Sequence, residues 1–221
     1  MGECMTAELI NLALASFVTF FVLIDPLGVA PVFATLTAPG GPKYARKMAV
    51  RSVIIAGIII SAFAFGGAWL LGALHISIDA FRAAGGVLLF MIALDMVFEK
   101  RTERRESRAE NVLAAEQETE GLDDVSVFPL GIPMLAGPGS IATAMLYMQN
   151  AGGNVLEQGV VIGAILANLV LCLVIFLAAS PLMRLMGDSV AGAITRIFGV
   201  ILSALSVQLL IDGIKGAFGL G

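Results

Sequence analysis

The chain has 221 residues, 58% of them hydrophobic and only 14% charged, with a mean hydropathy of +0.95; soluble domains run nearer a quarter charged. That composition calls for lipid as solvent. It also excludes a large soluble domain, because the one long polar stretch, Glu99–Asp124, is too short to build a core of its own.

In chain order, the first apolar run follows Glu3 and Glu8 with no Lys or Arg, whereas a secretory signal begins with a basic segment. It is therefore read as a span, Leu9–Thr37. Five more follow at Ser52–Leu74, Ile76–Phe98, Val125–Gln149, Val160–Leu182 and Ala193–Ile214. The intervals from Arg51 to His75, Asp124 to Glu157 and Glu157 to Arg184 hold no Asp, Glu, Lys, Arg or His, and each reaches the roughly 20 residues a helix needs to cross hydrocarbon. Ten of the thirteen basic residues fall in three connections: Lys43, Arg46, Lys47 and Arg51 after the first span, Lys100, Arg101, Arg104, Arg105 and Arg108 after the third, and Arg184 after the fifth. Positive-inside reasoning places these in the cytoplasm and both termini outside it. Glu99–Asp124 mixes five basic with nine acidic residues and reads as a solvated cytoplasmic linker. Ala62 and Gly66 form a small-xxx-small pair suited to close helix packing.

Two of the spans must be broken. A straight helix over Val125–Leu156 would be about 48 Å long at 1.5 Å per residue, against a hydrocarbon core near 30 Å. Asp25-Pro26-Leu27-Gly28 and Pro31 interrupt the first span; Pro129, Pro133 and Gly137-Pro138-Gly139 interrupt the fourth. Proline removes a backbone donor and glycine permits non-helical dihedrals. Pro138 lies 112 residues after Pro26, and the same offset carries the second span onto the fifth and the third onto the sixth. At an offset of 113, Gly86-Val87-Leu88-Leu89 meets Gly199-Val200-Ile201-Leu202. The expected architecture is an all-α membrane protein of six helices in two three-helix repeats (1–98 and 125–221, joined by 99–124). Three being odd, the repeats are inverted. Broken helices at matching positions of inverted halves point to a transporter's substrate site.

The two breaks differ chemically. Asp25 stands at the N-cap of the half-helix that begins at Pro26 and can fill that helix's free N–H groups. Gly137 stands at the matching cap without a side chain, leaving the N–H groups of Gly139, Ser140 and Ile141 at the positive end of a helix dipole, a candidate carboxylate site. The candidate substrate-binding set is Asp25, Pro26, Gly28, Gly137, Pro138, Gly139, Ser140 and Ile141, together with the uncharged polar residues Thr143, Asn168 and Gln208. A mid-membrane aspartate is a functional candidate by default, and a structural cap is its plain alternative. Asp79 and Arg82 are spaced for a local pair, and Arg196 and Asp212 are placed to reach toward the interface.

Ile24–Phe33, Pro129–Gly139 and the stretch from Arg196-Ile197-Phe198-Gly199 through Gln208 to Asp212-Gly213-Ile214 resemble the motifs of the MarC family of integral membrane proteins, and the likeness covers essentially the whole chain. Gly131, Ser203 and Ser206 depart from it mildly, standing where alanine is usual. The resemblance implies a fold grouped with amino-acid exporters of the LysE type and a kinship with transporters of small neutral amino acids.

The expected function is a secondary transporter or exporter of small neutral amino acids in the cytoplasmic (inner) membrane, coupled to protons or sodium or running on the substrate's own gradient. The alternative is a non-transporting scaffold or regulatory protein. No phosphate-cradling G-x-x-x-x-G-K-[ST] loop is present, which argues against nucleotide drive. An enzyme is not expected: the one histidine, His75, lies at a helix end, Ser140 has no G-x-S-x-G setting, and Asp25 and Asp95 are placed at different depths. Neither a metal nor a cofactor is expected, with Cys4 and Cys172 lacking ligand-like neighbours. Partners are the solute and membrane lipid, with no nucleic acid, and a homo-oligomer is compatible with the sequence.

Overall fold

A computed structural model describes residues 2–117 and 124–220, with the side chains of 2–5, 115–117, 180 and 183–189 excepted. The expectations for Cys4 and Arg184 as side chains, and for 118–123, therefore fall outside it. Among the described residues every regular element is helical.

Helix α1, Gly2–Ile24, stops at Asp25, whose backbone is left-handed (φ 52, ψ 60), and α2, Pro26–Thr37, starts at once with proline in its first position. A 3-10 turn, Ala38–Gly40, leads into α3, Gly41–Ala73. Ser77 caps α4, Ile78–Val97, by accepting the Ala80 N–H at 3.1 Å. Next come α5, Lys100–Gln117, α6, Pro138–Asn150, α7, Val155–Leu177, and α8, Ala179–Phe218. Between α5 and α6, Ser126–Leu135 is irregular: Phe128 and Ile132 are extended, each before a proline. The proline ring clashes with an α-conformation of the residue before it, so the break expected at Pro129, Pro133 and Gly137 is one continuous irregular stretch from Ser126 on. This segment and α6 are bent by 56°.

Four helical stretches are long and apolar enough to cross a membrane, Thr6–Ala73, Ile78–Val97, Val155–Leu177 and Val190–Phe218, and the bent pair Ser126–Leu135 with Pro138–Asn150 makes a fifth. The first two expected spans merge into one stretch because only the short 3-10 turn parts α2 from α3. The loop expected between Leu182 and Ala193 is instead helical, as part of α8.

The largest core draws Phe20 and Ile24 from α1, Phe33 from α2, Ile60 from α3 and Ile165 from α7 into one apolar cluster, with Phe33 stacked on Phe176 at 4.3 Å. Helices α4 and α8 run antiparallel in close contact. A Cβ on Gly86 would meet the Leu210 nitrogen at 2.7 Å, one on Gly199 would meet Met96 Cβ at 2.9 Å, and one on Gly213 would meet the Ala83 nitrogen at 2.6 Å. The glycines that open the two matched Gly-Val motifs thus serve one helix pair, each admitting the other helix's approach. By contrast, Gly66 has nothing near its missing Cβ and Ala62 is exposed, so that small-residue pair forms no close helix contact among the described residues.

Candidate functional site

Asp25 is wholly buried and fully bonded. Its Oδ1 accepts the Gly28 N–H at 3.2 Å, the N-cap bond expected from the sequence. Thr195 of α8 donates to the same oxygen at 3.2 Å, and Arg105 of α5 donates from Nη1 to Oδ2 at 2.9 Å. Such a buried pair loses two hydration shells, and its attraction offsets that loss only with good geometry and further hydrogen bonds. Here the Gly28 amide and the Thr195 hydroxyl supply them. Space for the carboxylate exists because position 28 is glycine: a Cβ there would lie 2.2 Å from Asp25 Oδ2.

Arg105 belongs to the stretch read as a solvated linker, and this is the main correction to that reading. The stretch is in large part a helix, Arg105 is 4% exposed, and Ala109 joins the main core. Arg101, Arg104, Arg105 and Arg108 fall at i, i+3, i+4 and i+7, one face of a helix, while Glu103, Glu106 and Glu110 are exposed. That sign-segregated stripe is the signal the sequence carried, masked by a composition that suggests solvation. Two further bonds fasten α5. Arg101 donates from Nη2 to the Leu23 carbonyl at 2.7 Å, in the last turn of α1, where carbonyls lack intrahelical partners. Arg104 forms an ion pair with Asp95 of α4.

The face of arginines looks onto the second break. A cavity of about 240 Å³ is lined by Arg101, Arg104, Arg105 and Arg108, by Asp95, and by Gly137, Pro138, Gly139 and Ser140. Gly137 is extended (φ −78, ψ 165) and gives α6 no side-chain cap. Pro138 has no N–H, and Ile141 donates to the Gly137 carbonyl at 3.1 Å. Ile141 is therefore engaged, contrary to the expectation that its N–H stays open, and the donors left at this terminus are those of Gly139 and Ser140. Arg105 contributes a further donor: its Nη2 is buried without a partner, an arrangement that costs free energy unless something polar arrives.

The remaining candidates lie elsewhere. Asp25, Pro26 and Gly28 form the other break, joined to the cavity through Arg105. Thr143 is buried with its hydroxyl unpartnered and does not line the cavity. Asn168 donates to the Phe17 and Ala164 carbonyls at 3.0 and 2.9 Å, tying α7 to α1. Gln208 is exposed and donates to Asp212 at 2.8 Å. Arg82 pairs with Asp79 at 3.4 Å, as its spacing indicates, and Arg196 forms an ion pair with Glu99. Outside the spans, partial desolvation works to raise the Asp124 carboxyl, but hydrogen bonds from Ser126 and the charges of Arg51 and Lys47 outweigh it and hold the group below its ordinary value.

The profile of the family described as "MarC family integral membrane protein" matches residues 10–218. A UPF0056 membrane protein of Methanocaldococcus jannaschii is 38% identical over 91% of this chain and 95% of its own. The UPF0056 membrane protein YhcE of Escherichia coli is 31% identical over 91% of each, and one from Pyrococcus abyssi is 30% identical over 92% of this chain and 94% of its own. No solved structure matches the chain.

Proposed function

Because the chain belongs to the MarC family of integral membrane proteins and is a multi-pass membrane protein, we propose that it is a secondary transporter of small carboxylate-bearing solutes, the class to which neutral amino acids belong. One observation carries the reading: the open N-terminus of half-helix α6 and the buried residue Arg105, whose Nη2 has no partner, line the same cavity. Donors fixed in place around a void, with no acceptor for them among the described residues, are what a bound anion completes.

In this reading the two halves are inverted repeats lying in the cytoplasmic (inner) membrane with both termini outside the cytoplasm, and alternating access moves one repeat against the other around the cavity. The antiparallel α4–α8 pair, closed by Gly86 and Gly199, supports the inversion. A proton or sodium gradient, or the solute's own, supplies the drive. Binding uses the Gly139 and Ser140 amides for the carboxylate, with Arg105 held in register by Asp25, Thr195 and Gly28. The test is solute counterflow in proteoliposomes with L-alanine and succinate, both of which bear a carboxylate. Wild type is expected to exchange at least one of them. Gly139→Val, whose Cβ would press on Ile92 at 2.9 Å and Leu23 at 3.2 Å, is expected to reduce that exchange severely, while Ser140→Ala, which keeps the backbone donors, costs less. Counterflow of none would overturn the transporter reading.

A further inference from the structure

We propose that the cavity selects a compact dianion, a phosphate monoester or a dicarboxylate, over a zwitterion. The proposal rests on the anion-site reading above and follows from how the charges are matched. Of the four arginines lining the cavity, Arg104 is neutralised by Asp95 and Arg105 by Asp25. The other two are not. Arg101 bonds neutral acceptors, the Leu23 carbonyl at 2.7 Å and Met96 Sδ at 3.0 Å, and Arg108 has no carboxylate partner among the described residues. To these two positive charges the open end of α6 adds roughly half a unit more. This surplus faces a single cavity, so a ligand bearing two negative charges balances it more fully than one bearing a single charge.

A neutral amino acid brings one carboxylate and one ammonium group. Its ammonium would need an acceptor, and the only carboxylate lining the cavity among the described residues, Asp95, is already paired to Arg104. The remaining charged neighbours are guanidiniums, which repel it. A phosphodiester lipid headgroup bears only one negative charge on its phosphate. A phosphate monoester carries about −1.5 to −2 near neutral pH and three acceptor oxygens, enough for the two α6 amides and a fork from Arg108. A short dicarboxylate matches the charge with its acceptors at two ends instead of one.

The experiment is titration calorimetry on full-length protein in detergent at about pH 8, with inorganic phosphate, succinate and L-alanine as probes. Phosphate or succinate is expected to bind at least about tenfold more tightly than L-alanine, and whichever is tighter assigns the class. Arg108 is half-buried and outside the Asp25 network, so Arg108→Gln leaves the fold intact and should weaken the dianion about tenfold or more while changing L-alanine little. Lys43→Gln, a change of equal charge away from the cavity, should alter neither. L-alanine binding as tightly as both dianions, or dianion affinity indifferent to Arg108→Gln, overturns the dianion proposal and leaves the anion-site reading standing. Binding of no probe overturns both.

Discussion

A methyl group on residue 28 would stand 2.2 Å from Asp25 Oδ2 and 2.7 Å from the Thr195 hydroxyl, and neither can retreat without giving up the bonds that hold Arg105. Gly28→Ala is therefore expected to destabilise the protein by about 1–3 kcal/mol, the usual cost of overpacking, read as a fall in thermal midpoint in detergent. Asp25→Asn separates the two roles the sequence left open for that residue. It keeps an oxygen for the Gly28 amide, so a residue that is only a cap would lose almost nothing. Removing the charge leaves Arg105 buried without its counterion, and breaking such a pair costs roughly 3–5 kcal/mol. Chemical denaturation of the variant decides between these, and a loss under about 1 kcal/mol would reduce Asp25 to a cap. The cap was legible in sequence because it is local: Asp, then Pro, then a glycine three residues on. The partner was not, since Arg105 is 80 residues away among acids that suggest a solvated surface.

Among the helices, the pair α4–α8 separates glycines that matter from glycines that do not. At Gly86 the obstruction is the backbone of Leu210 and Ser206, which cannot rotate aside as a side chain can, so Gly86→Leu forces the helices apart. A clear drop in folded yield and thermal midpoint is expected. Gly66→Ala meets nothing and should raise stability slightly, by up to about 1 kcal/mol from helix propensity, in the same assay. Sequence distinguished these glycines only through the repeat: Gly86 recurs at Gly199 in a four-residue match, whereas Gly66 was singled out by spacing alone. Both helix breaks were visible for the same local reason as the cap. The spread of the second over Ser126–Leu135 was less so, because two prolines signal kinks without telling how much chain between them unwinds. Helix α5 escaped because a charged amphipathic stripe reads alike whether it faces water or a buried carboxylate.

For the molecule as a whole, the asymmetry of Lys and Arg predicts an orientation in the membrane. Reporter fusions are expected to find the carboxyl terminus outside the cytoplasm, with sites in α5 reported inside. A carboxyl-terminal fusion active only in the cytoplasm would overturn this orientation. The structure adds a constraint that no charge count contains. Helix α5 is mostly polar, with Ala109, Val112 and Leu113 set against the main core, and Arg101 grips the end of α1, Arg104 grips α4 and Arg105 grips the first break. A polar helix moored in this way opens on a clock set by its moorings and not by its own helical stability. Its amide hydrogens should accordingly exchange slowly with heavy water in the wild type. Cutting the deepest mooring with Asp25→Asn should bring α5 to the exchange rate of a loose surface helix, while α4 and α8, locked through their glycines, keep their protection.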